Sequence, residues 1–305
     1  MHLRTLLGAL LGPLLAWLAC EAALRTPAWD ALVAAGHPGS PHHARAMLRT
    51  HPDAEVAVIG SSVALIDVRP ELLERELGQA VVDAGVMGAP LVGTAMLVDD
   101  LLASPAHTFV LVVAASDVAE EIPLRRLRAY DPHVALDTLG WSHVLAHREA
   151  HLEGLAGWVS LAWRQRGVPR DLWVRWDEPH PRDLERVPAA DAIALRLRAK
   201  HEQLTWDATS PNARALVGLA RRLEADGREL IVVPAPQDPR ISGRAVRPEL
   251  VALLAELAST APFELVIPAR WPVWEIAHFR DAVHLAPAGQ EAFTLGLARA
   301  LERRR

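Results

Sequence analysis

The sequence predicts an α/β protein in which a mostly parallel sheet is covered by helices on both faces. Three observations lead there. Short apolar runs that end in turn residues alternate with helical stretches along the chain. Several runs are rich in β-branched residues, as in 108–114 (TFVLVVA). The chain has 305 residues, 51% of them hydrophobic and 23% charged, which suits one large core or one domain with an insertion.

The first element is an uncharged run over residues 6–19, interrupted only by Gly8, Gly12 and Pro13. A membrane-spanning helix needs about 20 residues and a signal-peptide core about 7–15, so the run lies between the two. It extends to Leu24 if Glu21 sits at an interface. Arg4 precedes it, and the positive-inside rule then puts the N-terminus in the cytoplasm and the rest of the chain outside. Residues 1–26 are therefore expected to be a single-helix membrane anchor; a cleaved signal or a lipoprotein signal at Cys20 are the alternatives. Residues 27–52, rich in Pro, Gly and His, are expected to be a tether or cap, and residues 53–305 the main domain.

Within that domain, strands are expected at 55–59, 80–82, 108–114, 229–233 and 263–267. Helices are expected at 71–77, where Pro70 stands at the start, at 213–225, and at 287–303. A segment at about 124–205 breaks the rhythm. It carries Trp141, Trp158, Trp163, Trp173 and Trp176 together with His133, His143, His147, His151 and His180. It reads as a largely helical insertion over one end of the sheet.

Composition excludes some partners. The net charge is −5, and no basic tract is present that could neutralise a phosphate backbone, so no nucleic-acid partner is expected. Arg303, Arg304 and Arg305 read as a solvated tail. Cys20 is the single cysteine, so no internal disulfide can form. No cofactor is expected. His143, His147 and His151 recur at i, i+4 and i+8, a spacing able to ligate zinc. No supporting Cys or carboxylate pattern goes with them beyond Glu149 and Glu153, and no metal site is assigned.

Three short patterns fall at the carboxyl ends of expected strands, where open α/β sheets place their ligands. The first is Gly60-Ser61-Ser62, a tight turn that presents a hydroxyl and can offer backbone N–H groups. The second, Asp83 to Ala89, is a turn containing Gly85 and Gly88. The third is Asp281-Ala282-Val283-His284, just before the last helix. An Asp three residues before a His can orient the imidazole. The imidazole can then take a proton from a serine brought near by the fold.

In this order and in these contexts, the blocks resemble those of the SGNH/GDSL hydrolase superfamily over about 53–302, the insertion apart. The Gly-Ser-Ser form is similar to that of its membrane-anchored envelope branches, and the continuation HLAPAGQEAF resembles the entry to the family's C-terminal helix. The resemblance implies a flavodoxin-like three-layer α/β/α sandwich with a parallel sheet. It implies Ser62 as nucleophile, His284 as general base and then acid, and Asp281 as the residue that orients His284. The oxyanion hole would take the backbone N–H groups of Ser62 and Gly88, with Gly85 as the alternative to Gly88. One block departs. Where the family carries Gly-x-Asn-Asp, this chain reads Ala114-Ala115-Ser116-Asp117, so Ser116 holds the place of an oxyanion-donating Asn. Asn212, the only asparagine, lies in another element. Loss of one such donor lowers turnover by about 10²–10³; the Ser116 hydroxyl can replace it in part. Asp117, Trp271 and Trp274 are candidates for lining the substrate pocket.

Two functional readings follow. In the first, the chain is a serine-dependent ester hydrolase or O-acyl transferase, held outside the cytoplasm, acting on an acylated small molecule, envelope glycan or lipid. In the second, motivated by the missing Asn, it is a non-catalytic envelope binding or assembly protein on the same fold. A metal-dependent enzyme built on the histidine stripe is a third.

Overall fold

The computed structural model describes residues 3–36, 38–119, 129–130, 132–165, 168–169, 180–184, 204–267 and 274–304. Its strands are β1 (Val56–Gly60), β2 (Val81–Gly85), β3 (Thr108–Val113), β4 (Glu229–Pro234) and β5 (Glu264–Leu265). They form one all-parallel sheet in the order β2-β1-β3-β4-β5, the flavodoxin-like order. The helices before β2 are α1 (Leu3–Ala23), α2 (Pro27–Ala34), α3 (Pro41–Thr50), α4 (Ser62–Asp67) and α5 (Pro70–Leu77). Then come α6 (Leu91–Ala95), α7 (Val98–Ala103), α8 (Ala115–Ala119), α9 (Pro132–Leu139), α10 (Trp141–Ala146), α11 (Arg148–Val159) and α12 (Leu161–Arg164). The last are α13 (Pro211–Ala225), α14 (Pro239–Ser242), α15 (Pro248–Ala258) and α16 (Pro287–Glu302).

Strand residues alternate between the two faces of the sheet, and the core divides accordingly. Val56, Val58, Val110, Val112, Ile231 and Val233 pack with Leu73 of α5 and with Phe293 and Leu297 of α16. Ala57, Ile59, Phe109, Leu111, Leu230 and Val232 pack with α3, α6, α7, α13 and α15 on the other face. The inner strands are buried on both faces, which explains their unbroken apolar runs. Each large side chain so buried contributes about 1.5–3 kcal/mol before the cost of ordering it.

The expected strands are found, with β2 running three residues further, to Gly85, and β5 reduced to two residues. Residues 27–52 differ from a tether. Thr26 and Ser40 cap α2 and α3, each with Pro at the first helical position, and Ala44 and Leu48 of α3 enter the core beside β2. Buried Arg45 pairs with Asp100 at 2.7 Å. The described part of 124–205 holds α9 to α12 and a 3₁₀ turn at Pro181–Asp183. Helix α1 is joined to it, because Glu21 accepts the N–H groups of Leu161 and Ala162 at the start of α12. Among the described residues no helix is long and apolar enough to cross a membrane.

Candidate active site

The site sits at the carboxyl edge of the sheet, where β1 meets its neighbours β2 and β3. The strand order reverses between β1 and β3, and such switch points open a crevice at the strand ends. At the end of β1 the chain turns sharply. Gly60 has φ +137, and a Cβ there would stand 2.5 Å from the Val112 carbonyl oxygen, so only glycine fits. Ser61 then caps α4, accepting the Val63 N–H on its side chain, and Ser62 is the first residue of that helix. Gly85 at the end of β2 lets α4 lie close, since a Cβ there would meet the Leu65 nitrogen at 2.7 Å.

The other half of the site is a closed loop before α16. Phe279 and Leu285 form an antiparallel bridge, and Arg280 N–H donates to the His284 carbonyl at 2.9 Å. Inside the loop, Asp281 Oδ1 accepts the N–H groups of Val283 and His284, both at 2.9 Å. This Asx turn sets the carboxylate against the imidazole of His284, with Nδ1 2.8 Å from Asp281 Oδ2 and 3.0 Å from Oδ1. His284 Nε2 lies 2.8 Å from Ser62 Oγ, across 222 positions of sequence. In the tautomer protonated on Nδ1, that proton goes to Asp281 and the Nε2 lone pair accepts the Ser62 hydroxyl. Burial pushes the Asp281 carboxyl up, but its bond to His284, the His284 charge and the two backbone N–H groups outweigh this and hold it down at about 2. The chain thus brings Ser62, His284 and Asp281 into one hydrogen-bonded line.

Gly88, Ser116, Asp117 and Trp274 are the remaining site candidates among the described residues. Gly88 lies in the exposed turn after β2 with φ +59, and Ser116 is half-buried in α8 at the end of β3. Gly88 thus follows β2 and Ser116 follows β3, the two strands that pair with β1. Neither bonds to the triad among the described residues. Asp117 is buried and accepts Ser61 Oγ and the Ala114 N–H, both at 2.8 Å. Trp274 packs its ring against Phe279 and His278 at 5.9 and 5.8 Å. Trp271 lies outside the described residues. Asn212 belongs to the core: it accepts the Val92 N–H at 3.0 Å and donates to the Val118 carbonyl at 2.8 Å. The histidine stripe spans α10, the break at His147 and α11, with His143 Nδ1 3.1 Å from His151 Nε2. Among the described residues no group of three His, Cys, Asp or Glu side chains could hold a metal ion.

The buried polar groups beside the site leave little trace in the sequence. Asp67, at the end of α4, accepts the Leu285 N–H at 2.8 Å. Asp83, in β2, meets Arg182 of the 3₁₀ turn at 2.6 Å, and the same guanidinium donates to the Leu65 carbonyl at 2.9 Å. Arg280 donates to the Pro181 carbonyl, and Gln290 Nε2 to the Arg182 carbonyl at 2.9 Å. The insertion is thereby fastened to α4, β2 and the histidine loop. The one local signal was a carboxylate inside an apolar stretch: Asp67 after 63–66, and Asp83 after 80–82.

Fold and geometry define an α/β protein with a serine, a histidine and an aspartate aligned at the carboxyl edge of a parallel sheet. No protein-family model and no curated protein matches the chain. Among solved structures it is similar to the crystal structure of TesA, with 14% identity and a TM-score of 0.39, over 81% of this chain and 98% of that one. Likeness at that level says nothing of substrate or reaction.

Proposed function

We propose that the chain is a serine-dependent ester hydrolase or O-acyl transferase of the SGNH/GDSL type, acting on an acylated envelope glycan or lipid. The observation that carries this reading is the pair of contacts on one imidazole: Ser62 Oγ at 2.8 Å from Nε2 and Asp281 at 2.8 Å from Nδ1. Ser62 Oγ attacks the acyl carbonyl as its proton passes to His284 Nε2, and the tetrahedral oxyanion is met by the N–H groups of Ser62 and Gly88 and by the Ser116 hydroxyl. His284 returns the proton to the departing alcohol, which leaves an acyl-Ser62 ester. Water or an acceptor hydroxyl, deprotonated by His284, then takes the acyl group, and His284 returns that proton to Ser62 Oγ as the acyl–Oγ bond breaks; the choice between them separates hydrolysis from transfer. Asp281 keeps the imidazole oriented and stabilises its cation.

The test is covalent labelling. A fluorophosphonate should label the wild-type chain and not Ser62→Ala, and His284→Ala should be nearly as inert toward both the probe and an aryl acetate. Folded protein that neither labels nor turns over would favour the non-catalytic envelope-binding reading, for which Ser116 in the place of an asparagine is the specific observation. We also propose that α1 holds the domain at the outer face of a membrane, on the strength of the uncharged run at 6–19 behind Arg4. A reporter active only in the cytoplasm, fused after Arg305, should stay silent; a strong signal would overturn that topology.

A further inference from the structure

We infer that Asp67 is a positioning residue for His284: its carboxyl, at the far end of the helix that carries Ser62, grips the backbone just after the histidine and so sets the Ser62–His284 contact. The inference rests on the serine-nucleophile reading for its kinetic readout. Helix α4 is six residues long, with Ser62 first and Asp67 last. At about 1.5 Å per residue its two ends are roughly 7–8 Å apart. Both ends touch the histidine loop, Ser62 Oγ at His284 Nε2 and Asp67 Oδ1 at the Leu285 N–H, each at 2.8 Å. One short helix therefore fixes the tip of the imidazole and the backbone at its root. Translating either without the other would stretch one of two well-formed hydrogen bonds.

The carboxyl is placed for this task and for nothing facing solvent. Asp67 is fully buried, and its Oδ2 has no hydrogen-bond partner among the described residues. The charged groups that act on it are Asp281 and Arg280 of the histidine loop and Asp117 of α8. Burial, with the charges of Asp281 and Asp117 adding to it, pushes the Asp67 carboxyl well above its ordinary value, against the Leu285 N–H and Arg280. Asp67 Oδ1 accepts the Leu285 N–H whether the carboxyl is charged or neutral. Two carboxyls near one histidine are thus pushed in opposite directions by their surroundings, Asp67 up and Asp281 down. An apolar residue at 67 would leave the Leu285 N–H buried and unpaired and the loop free to shift. Small displacements of a catalytic group lower rates by about 10²-fold.

The experiment measures the second-order rate of fluorophosphonate labelling, and kcat and KM on an aryl acetate, in the full chain. Asp67→Ala should slow labelling and kcat by about 10²-fold with KM unchanged. Asp67→Asn keeps an acceptor oxygen for Leu285 and should recover both to within a few-fold of wild type. Wild-type rates in folded Asp67→Ala, or an Asn variant as slow as the Ala variant, would overturn the inference. If the Ala variant does not fold, Asp67→Glu takes its place, and a wild-type rate there would overturn it equally. If the wild type itself does not label, the serine reading falls. The His284 ring resonances, identified with His284→Gln, then decide the positioning role alone. Asp67→Ala should shift them and Asp67→Asn should not; unshifted resonances in the Ala variant overturn the inference.

Discussion

Ser61 Oγ donates to Asp117 Oδ2 at 2.8 Å, which ties the residue before Ser62 to the first turn after β3. The same oxygen takes the Ala114 N–H at 2.8 Å, and both side chains are buried. Asp117 therefore joins two neighbouring strand ends beside the candidate nucleophile. A carboxylate there satisfies two donors at once, which no apolar side chain can do.

Removing that carboxylate should loosen the turn. Asp117→Ala orphans two buried donors, each worth about 1–3 kcal/mol, and should lower the unfolding free energy accordingly. Ser61→Ala removes one donor and the cap of α4, at about 0.5–2 kcal/mol. Because the two side chains share a bond, their losses should fall short of additive in a double-mutant cycle read by urea denaturation. A coupling near zero would mean that the bond is not formed in solution.

Ser116 gives the sharper test of chemistry. It stands at the end of β3, one strand over from Ser62, and half-buried. If its hydroxyl serves the oxyanion, Ser116→Ala should lower kcat on an aryl acetate by up to about 10²-fold, and Ser116→Asn should raise it. An unchanged kcat in both variants would remove Ser116 from the oxyanion hole and leave backbone N–H groups as its donors.

Much of this arrangement was legible in the sequence, and the physical reason divides what was from what was not. The strands were readable because inner strands of a parallel sheet are apolar on both faces, as 108–114 and 229–233 are. Ser62, Asp281 and His284 were readable because each sits in a short turn whose geometry is local: a glycine exit from β1, and an Asx turn that holds its own histidine. Helix α3 was hidden by composition. Its Pro41, His43 and Arg45 read as loop residues, yet all three are buried, and Arg45 is neutralised by Asp100, 55 residues away. The histidine spacing suggested one helix, but the chain breaks at His147, between α10 and α11. Asp67 and Asp83 show in the sequence only as carboxylates inside apolar stretches, and their roles are hidden for the same reason as that of Arg45. A buried carboxylate takes its meaning from partners that only the fold supplies, Leu285 for one and Arg182 for the other.

Asp83 carries a pH signature that can be measured. Burial raises its carboxyl to about 6 although Arg182 lies 2.6 Å away, so desolvation outweighs the ion pair. In the unfolded chain the group titrates at its ordinary value of about 4. Between these two values the folded protein holds a proton that the unfolded chain has released. The stability contribution is therefore fully present below about pH 4 and is lost as pH rises through about 6. At about 1.4 kcal/mol per unit, the loss relative to Asp83→Asn should be on the order of 2–3 kcal/mol. The Asn variant does not titrate at this position, and every other group is common to the two proteins. Urea denaturation at pH 4 and pH 7.5 then isolates Asp83 as the change in the difference between them. The absolute stability of Asp83→Asn is not the readout, because it also deprives buried Arg182 of its anion. A wild type that gains on the variant as pH rises would reverse the sign, and would mean that the Asp83–Arg182 attraction exceeds the penalty of burying both charges.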